Sequence, residues 1–323
     1  MPILSSDYTS PWYLYNAHLE TIIPSIFRKV EGIHYERERI DTPDDDFLDL
    51  DWLKTESDRL VIISHGLEGS SGKSYVKGMA RIFHENGWNV LAWNCRSCSE
   101  ELNKTFRLYH HGASDDLETV IKHIETKYHE IKQIVLIGFS MGGSLTLKYL
   151  GENSSTLNKN IKCAVAFSTP LNLQSSAESL SKKGNGFYRR RFLKKLAMKI
   201  SAKAAQFPGQ IDISDIGSVK HFRQLDLKYS APMNGFETAE AFYTYASAEN
   251  YLEAISVPAL IVNAKNDPML PEACFPVDLA SKHAHVFLEI PEKGGHVGFY
   301  RPGKRYSWAE KRALQFANEY VKL

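Results

Sequence analysis

The sequence predicts an α/β fold in which a mostly parallel, eight-stranded sheet carries helices on both faces and a helical cap insertion. Three observations predict it. Short apolar, β-branched runs alternate with longer amphipathic stretches, an acidic turn joins the first two runs as a hairpin, and one long block lacks any convincing core strand.

Taken in order, the strand candidates are Ile33 to Ile40 and Phe47 to Trp52, joined by Asp41-Thr42-Pro43-Asp44-Asp45-Asp46, then Leu60 to Ser64 and Val90 to Trp93. Gln133 to Ile137, Ala164 to Phe167, Ala259 to Asn263 and Val286 to Ile290 complete the eight. Helical spacing follows around Tyr75 to Glu85, Asp115 to Lys127, Ser140 to Leu150, Pro271 to His283 and Ser307 to Tyr320. Asp44, Asp45 and Asp46 lack EF-hand spacing and read as a solvated turn. In a parallel sheet ligands bind beyond the carboxyl ends of the strands, so chemistry is expected just after these runs.

Between Phe167 and Val257 the rhythm breaks, and residues 168–250 read as a cap set into a core of 1–167 and 251–323. Within it, Arg189, Arg190, Arg191, Lys194, Lys195 and Lys199 share a stretch with no acidic residue between Glu178 and Asp212, while Phe192, Leu193, Leu196 and Ile200 recur at helical spacing. Such a helix packs by its apolar stripe with a solvated basic face, or uses that face against anionic lipid or an acidic substrate.

The chain of 323 residues is 43% hydrophobic and 24% charged, which sets aside collagen, coiled-coil, disordered and multispan membrane classes. Its 39 Lys and Arg against 38 Asp and Glu give a net charge of +1, without the basic excess of a nucleic-acid binder. No apolar run approaches the roughly 18 residues of a membrane span, and no basic-then-apolar leader opens the sequence. A cytoplasmic protein with free thiols at Cys95, Cys98, Cys163 and Cys274 is the expectation.

The run Gln133 to Ile137 leads straight into Gly138-Phe139-Ser140-Met141-Gly142-Gly143 and then a helical segment. A Gly-x-Ser-x-Gly turn between strand and helix strains the serine backbone and lifts its hydroxyl to the sheet edge. At its ordinary pKa that hydroxyl is a poor nucleophile and needs a base, an orienting carboxylate and an oxyanion hole. Asp267 follows the Ala259 run in Asn266-Asp267-Pro268, and His296 follows the last run in the glycine-flanked Gly294-Gly295-His296-Val297-Gly298. The order Ser, Asp, His is the one α/β-hydrolase sheets impose. The other acid position in such sheets, after Phe167, holds Ser168, Thr169 and Pro170, which leaves Asp267. His110, His111, His283 and His285 are less well placed. Backbone N–H groups of Met141 and of Leu67, in Ser64-His65-Gly66-Leu67-Glu68-Gly69, supply the oxyanion donors, with Gly66 letting substrate approach the backbone.

Two motifs are decoys. Gly69-Ser70-Ser71-Gly72-Lys73-Ser74 misses the phosphate-binding Gly-x-x-x-x-Gly-Lys-Ser spacing by one position, because Leu67 stands where the first glycine belongs. Cys95-Arg96-Ser97-Cys98 has no second ligand pair, so neither a metal nor a cofactor is expected.

These residues resemble the YheT-like branch of the α/β-hydrolase superfamily, serine esterases and lipase-like enzymes. The likeness covers nearly the whole chain. It includes His18-Leu19-Glu20-Thr21-Ile22, His65-Gly66-Leu67-Glu68-Gly69-Ser70-Ser71, Asn94-Cys95-Arg96-Ser97-Cys98-Ser99, Tyr109-His110-His111-Gly112, the Ser140 turn, Ala231-Pro232-Met233-Asn234-Gly235-Phe236 and Phe242-Tyr243. The resemblance implies a carboxylesterase acting on short- to medium-chain or lipid-like esters through Ser140, Asp267 and His296, with Leu67 and Met141 as oxyanion donors. It departs from the family at Ser97 and Ser99, where glycine is common. An acyltransferase or thioesterase using the same triad is the second reading, and a weakly catalytic module on anionic membrane the third.

Overall fold

In a computed structural model that describes residues 3–321, the alternating runs become one sheet. Its strands are β1 (Ile3–Leu4), β2 (Glu36–Asp41), β3 (Phe47–Leu53), β4 (Arg59–Ser64), β5 (Asn89–Asn94), β6 (Gln133–Phe139), β7 (Ile161–Phe167), β8 (Ala259–Val262) and β9 (Val286–Glu289). They lie in the order β1-β9-β8-β7-β6-β4-β5-β3-β2. β3 runs antiparallel to β2 and β5, and the other pairs are parallel.

The ninth strand corrects the expected eight: Ile3–Leu4 pairs with Leu288 and Glu289, and two residues are too short to display a period. Two further expectations change. The helix expected from Pro271 to His283 is split into a 3-10 turn, Glu272–Cys274, and a helix, Val277–Lys282, because Pro276 between them has no N–H to donate. Nor is the acidic turn simply solvated. Asp46 is fully buried and, with Asp44 and Asp116, pairs with the buried guanidinium of Arg96. Burial alone would raise the Asp46 carboxyl, but Thr105, Asn103 and the N–H groups of Lys104 and Thr105 hold it below the ordinary range.

Because the central strands are buried on both sides, successive residues feed two different cores. Leu60 and Ile62 of β4 join Ile134 and Leu136 of β6 on one face, under α3 (Ser114–Lys127) and α4 (Met141–Glu152). Val61 and Ile63 join Val135 and Ile137 on the other, under α2 (Ser74–Glu85) and the C-terminal helix Trp308–Tyr320. That last helix opens with a capping box of Ser307 and Glu310, which satisfies two N–H groups its first turn would otherwise expose. Between β7 and β8 the described chain forms helices and turns, led by α5 (Leu173–Ser181) and α6 (Gly186–Gln206). They gather Leu173, Leu193, Phe222, Leu225 and Phe242 into a third, separate core. One more helix, α1 (Ala17–Phe27), lies against the loops that follow β8 and β9.

The strand order reverses between β4 and β6, since β5 lies on the far side of β4. A crevice opens at the carboxyl ends of strands where such a reversal occurs. The loops after β4 and β6 carry Gly66, Leu67 and Ser140.

Candidate active site

Ser140 sits between the last residue of β6 and the first of α4, at φ 53° and ψ −119°, in a region that L-residues rarely occupy. The turn can be this sharp because a Cβ on Gly142 would overlap the Ser64 carbonyl of β4. Met141 is the first residue of α4, so its N–H has no acceptor inside the helix.

His296 Nε2 lies 2.9 Å from Ser140 Oγ, and His296 Nδ1 lies 2.8 Å from Asp267 Oδ2. The Asp267 side chain is fully buried and that of His296 is 11% exposed. A carboxylate only accepts, so Nδ1 carries the proton and Nε2 is left to accept from the serine hydroxyl. The second carboxylate oxygen of Asp267 accepts the Met269 N–H at 2.8 Å. Ser140, 156 positions before His296 in the sequence, thus joins His296 and Asp267 in one hydrogen-bonded chain.

The loop after β4 is held by buried polar groups. Cys95 N–H donates to His65 Nε2 at 3.1 Å, so the proton of that imidazole sits on Nδ1 and is donated to Gly66 O at 2.8 Å. Burial pushes the His65 imidazole down to about 4, which keeps it neutral. Gly66 N–H donates to Tyr75 Oη and Glu68 N–H to Tyr109 Oη, both at 3.0 Å, and Leu67 lies between them. A Cβ on Gly66 would stand 3.2 Å from Ser140 Cβ and crowd the space above that serine.

Two cavities meet at Ser140 and His296. One, of about 80 Å³, runs beneath the helical insertion past Leu173, Ala177, Leu180, Leu196, Phe222 and Phe242. Its wall includes Asp226, whose carboxyl burial raises to about 6 although Ser230 and Tyr243 hydrogen-bond to it. The other, of about 180 Å³, opens between α1, the Gly66–Ser74 loop and α6. Tyr188, Arg191, Phe192 and Lys195 of α6 line it, at the spacing that puts them on one helix face.

A model of the α/β-hydrolase fold matches residues 59–301. The chain belongs to the α/β-hydrolase family. Within that family it falls in the YheT-like branch: it is 29% identical to the YheT protein of Escherichia coli (strain K12) over 315 residues, 95% of this chain and 91% of that one. Phospholipase ABHD3 of Bos taurus is 28% identical over 92% of this chain and 74% of its own length. Monoacylglycerol lipase of Saccharomyces cerevisiae is 27% identical over 85% of this chain and 61% of its own. Among solved structures, the Pyrococcus furiosus esterase Pf2001 matches with a TM-score of 0.62 at 20% identity, covering 93% of this chain and 97% of that chain, which shows the shared fold.

Ser140, His296 and Asp267 come together, with Gly66, Leu67 and Met141 beside the serine. Cys95 and Cys98 do not join them. All four cysteines are free and buried, and among the described residues no cluster of His, Cys, Asp or Glu is arranged to hold a metal. No described helix is long and apolar enough to cross a membrane. Reading the residues for chemistry passed over the contribution of α1. Thr21 Oγ1 accepts the His296 N–H at 2.9 Å, and Glu20 Oε2 accepts from Asn266 Nδ2 at 2.7 Å and from Gly294 N–H at 3.0 Å. One helical turn therefore ties down the Asp267 and His296 loops together. The local signal was Asn16, whose side chain caps the helix by accepting the Leu19 N–H, but Pro24 inside the segment obscures the period.

Proposed function

We propose that this protein is a serine hydrolase that cleaves carboxylic esters of short to medium acyl chains or lipid-like substrates. His296 Nε2 takes the Ser140 proton as Oγ attacks the ester carbonyl, and Asp267 orients the imidazole and stabilises its charged form. The tetrahedral oxyanion is bound by the N–H groups of Leu67 and Met141. His296 returns the proton to the departing alcohol, and water then enters by the same route to release the acid and free Ser140.

The observation that carries this reading is the unbroken hydrogen-bonded chain from Ser140 through His296 to Asp267, placed where two cavities meet. The names of its relatives, among them a phospholipase and a monoacylglycerol lipase, support the same chemistry. In this reading residues 168–250 act as a cap, whose apolar cavity takes the acyl chain while the 1–167 and 251–323 core supplies the chemistry. The exposed Arg190, Arg191 and Lys194 of α6 support peripheral contact with anionic membrane. Four free thiols fit a cytoplasmic setting.

Initial rates on p-nitrophenyl esters from acetate to palmitate, with Ser140→Ala protein as the blank, test the reading. Hydrolysis lost in the variant is expected. Rates equal to the blank at every chain length would refute it.

A further inference from the structure

The larger of the two cavities at Ser140 is strongly cationic. Arg28, Lys73, Arg191 and Lys195 line it against a single carboxylate, Glu68. Glu68 is already committed, pairing with Lys199 at 3.0 Å and accepting from Tyr109 Oη at 2.5 Å. Arg28 is likewise neutralised by Glu310. The side chains of Lys73, Arg191 and Lys195 form no salt bridge among the described residues, and Lys195 Nζ donates to the Glu68 carbonyl at 3.4 Å. Burial, and after it the charges of Lys195 and Arg191, hold the Lys73 ammonium below its ordinary value although Glu68 opposes them, and all three cations line the one cavity. Bringing like charges together at a cavity wall costs free energy that a bound anion would recover.

The phosphate-loop decoy of the sequence lies at this spot. Helix α2 opens into the same cavity through Ser74 and Tyr75, and Lys73 at its N-cap makes no side-chain cap bond, so the positive end of a twelve-residue helix adds to the three cations. The second cavity is the opposite in character, lined by Leu173, Leu180, Phe222 and Phe242. Which half of an ester enters which cavity follows from their polarity, since Ser140 and His296 line both. Val297 and Gly298, which continue the His296 loop, line the cationic cavity and not the apolar one. A charged leaving alcohol therefore fits the cationic side, within reach of the proton on His296.

We propose that the preferred substrates are acyl esters whose leaving alcohol carries a phosphate, with the acyl chain in the apolar cavity and the phosphate held by Lys73, Arg191 and Lys195. The proposal rests on the ester-hydrolase reading above. The step itself is unchanged: the acyl carbon–oxygen bond breaks, Ser140 takes the acyl group, and the phospho-alcohol leaves with the proton from His296. The phosphate takes no part in bond changes. It supplies charge-assisted hydrogen bonds that place the ester over Ser140.

The test compares matched pairs below their micellar concentrations: 1-octanoylglycerol with its 3-phosphate, and 1-palmitoylglycerol with its 3-phosphate. In the full-length protein the phosphate ester should have the higher kcat/KM by about tenfold or more, mainly through KM, with the advantage shrinking as salt rises. The ratio should fall toward one in Lys73→Ala/Lys195→Ala and below one in Lys195→Glu. Lys73→Arg, which keeps the charge, should retain it and shows that a lost ratio is not misfolding. Equal or faster hydrolysis of the neutral glycerides, or a ratio that the charge variants leave unmoved, overturns this proposal while the ester-hydrolase reading stands. Hydrolysis of neither pair, together with no Ser140-dependent hydrolysis of p-nitrophenyl esters, overturns both.

Discussion

The loops at the carboxyl edge of the sheet and the helical insertion above them face the same Ser140, but they are built differently. In the edge loops, position is set by backbone: the left-handed turn at Ser140, the close approach of Gly142 to Ser64, and N–H groups of Gly66, Glu68, Gly294 and His296 that all donate to side chains. In the insertion, position is set by side-chain packing around Leu193, Phe222 and Phe242, and its basic residues reach the cavity on flexible stems. Backbone-held groups reproduce one geometry to within tenths of an ångström, which bond-making requires. Packed side chains tolerate substitution more readily, which suits the substrate-selecting role proposed for the insertion.

Variants at the sheet edge should therefore cost far more activity than variants in the insertion. Ser140→Ala is expected to reduce kcat by about 10⁶-fold, to the blank, with unchanged far-UV circular dichroism. Asp267→Asn leaves the shape but removes the acceptor that fixes the tautomer of His296, and kcat should fall by about 10⁴-fold. An insertion variant that costs as much as either would break the comparison.

Acid should act first where imidazoles are buried: His65 in the loop after β4, and His110, whose ring packs against Phe236, Phe242 and Tyr245 of the insertion. His65 and His110 are buried, and burial lowers their imidazoles from 6.5 to about 4 and about 3. Below about 6.5 the unfolded chain takes up protons that the folded protein refuses, so their stabilising contribution is present above that pH and is lost as pH falls through the folded values. Each contributes roughly 3 kcal/mol to the loss by pH 4, and thermal unfolding between pH 7 and 4 should show a falling Tm. A Tm that stays level across that range would contradict buried neutral imidazoles at these positions.

Smaller effects sharpen the contrast. Leu180→Trp, which fills the apolar cavity, should lower the long-chain to short-chain kcat/KM ratio by about tenfold while acetate esters are still turned over. Thr21→Val removes the acceptor of the His296 N–H and should reduce kcat by about tenfold, with a shifted pH–rate profile because the imidazole is less well placed. A Thr21→Val profile identical to the parent would show that α1 merely packs there.

The same contrast explains what could be read from the residues alone. Ser140, Asp267 and His296 stand at strand ends in glycine-rich turns, and strand ends are visible as boundaries of apolar runs, so the meeting of these three residues was legible by position and order. Ile3–Leu4 was not, since two residues have no period. The Arg96 cluster was hidden because its carboxylates come from β-hairpin turn and helix: Asp44, Asp46 and Asp116 look solvated until the fold closes around the guanidinium. The meeting of Lys73 with Arg191 and Lys195 is likewise invisible along the chain, because it depends on where α6 settles over the Gly66–Ser74 loop.

The central claim is that Ser140 is an activated nucleophile, and an activity-based probe tests it most directly. After incubation with a fluorophosphonate, intact-mass measurement should show a single adduct, mapped to Ser140 by peptide sequencing and absent from Ser140→Ala and after acid denaturation. An unlabelled protein, or equal labelling of Ser140→Ala, would contradict the account.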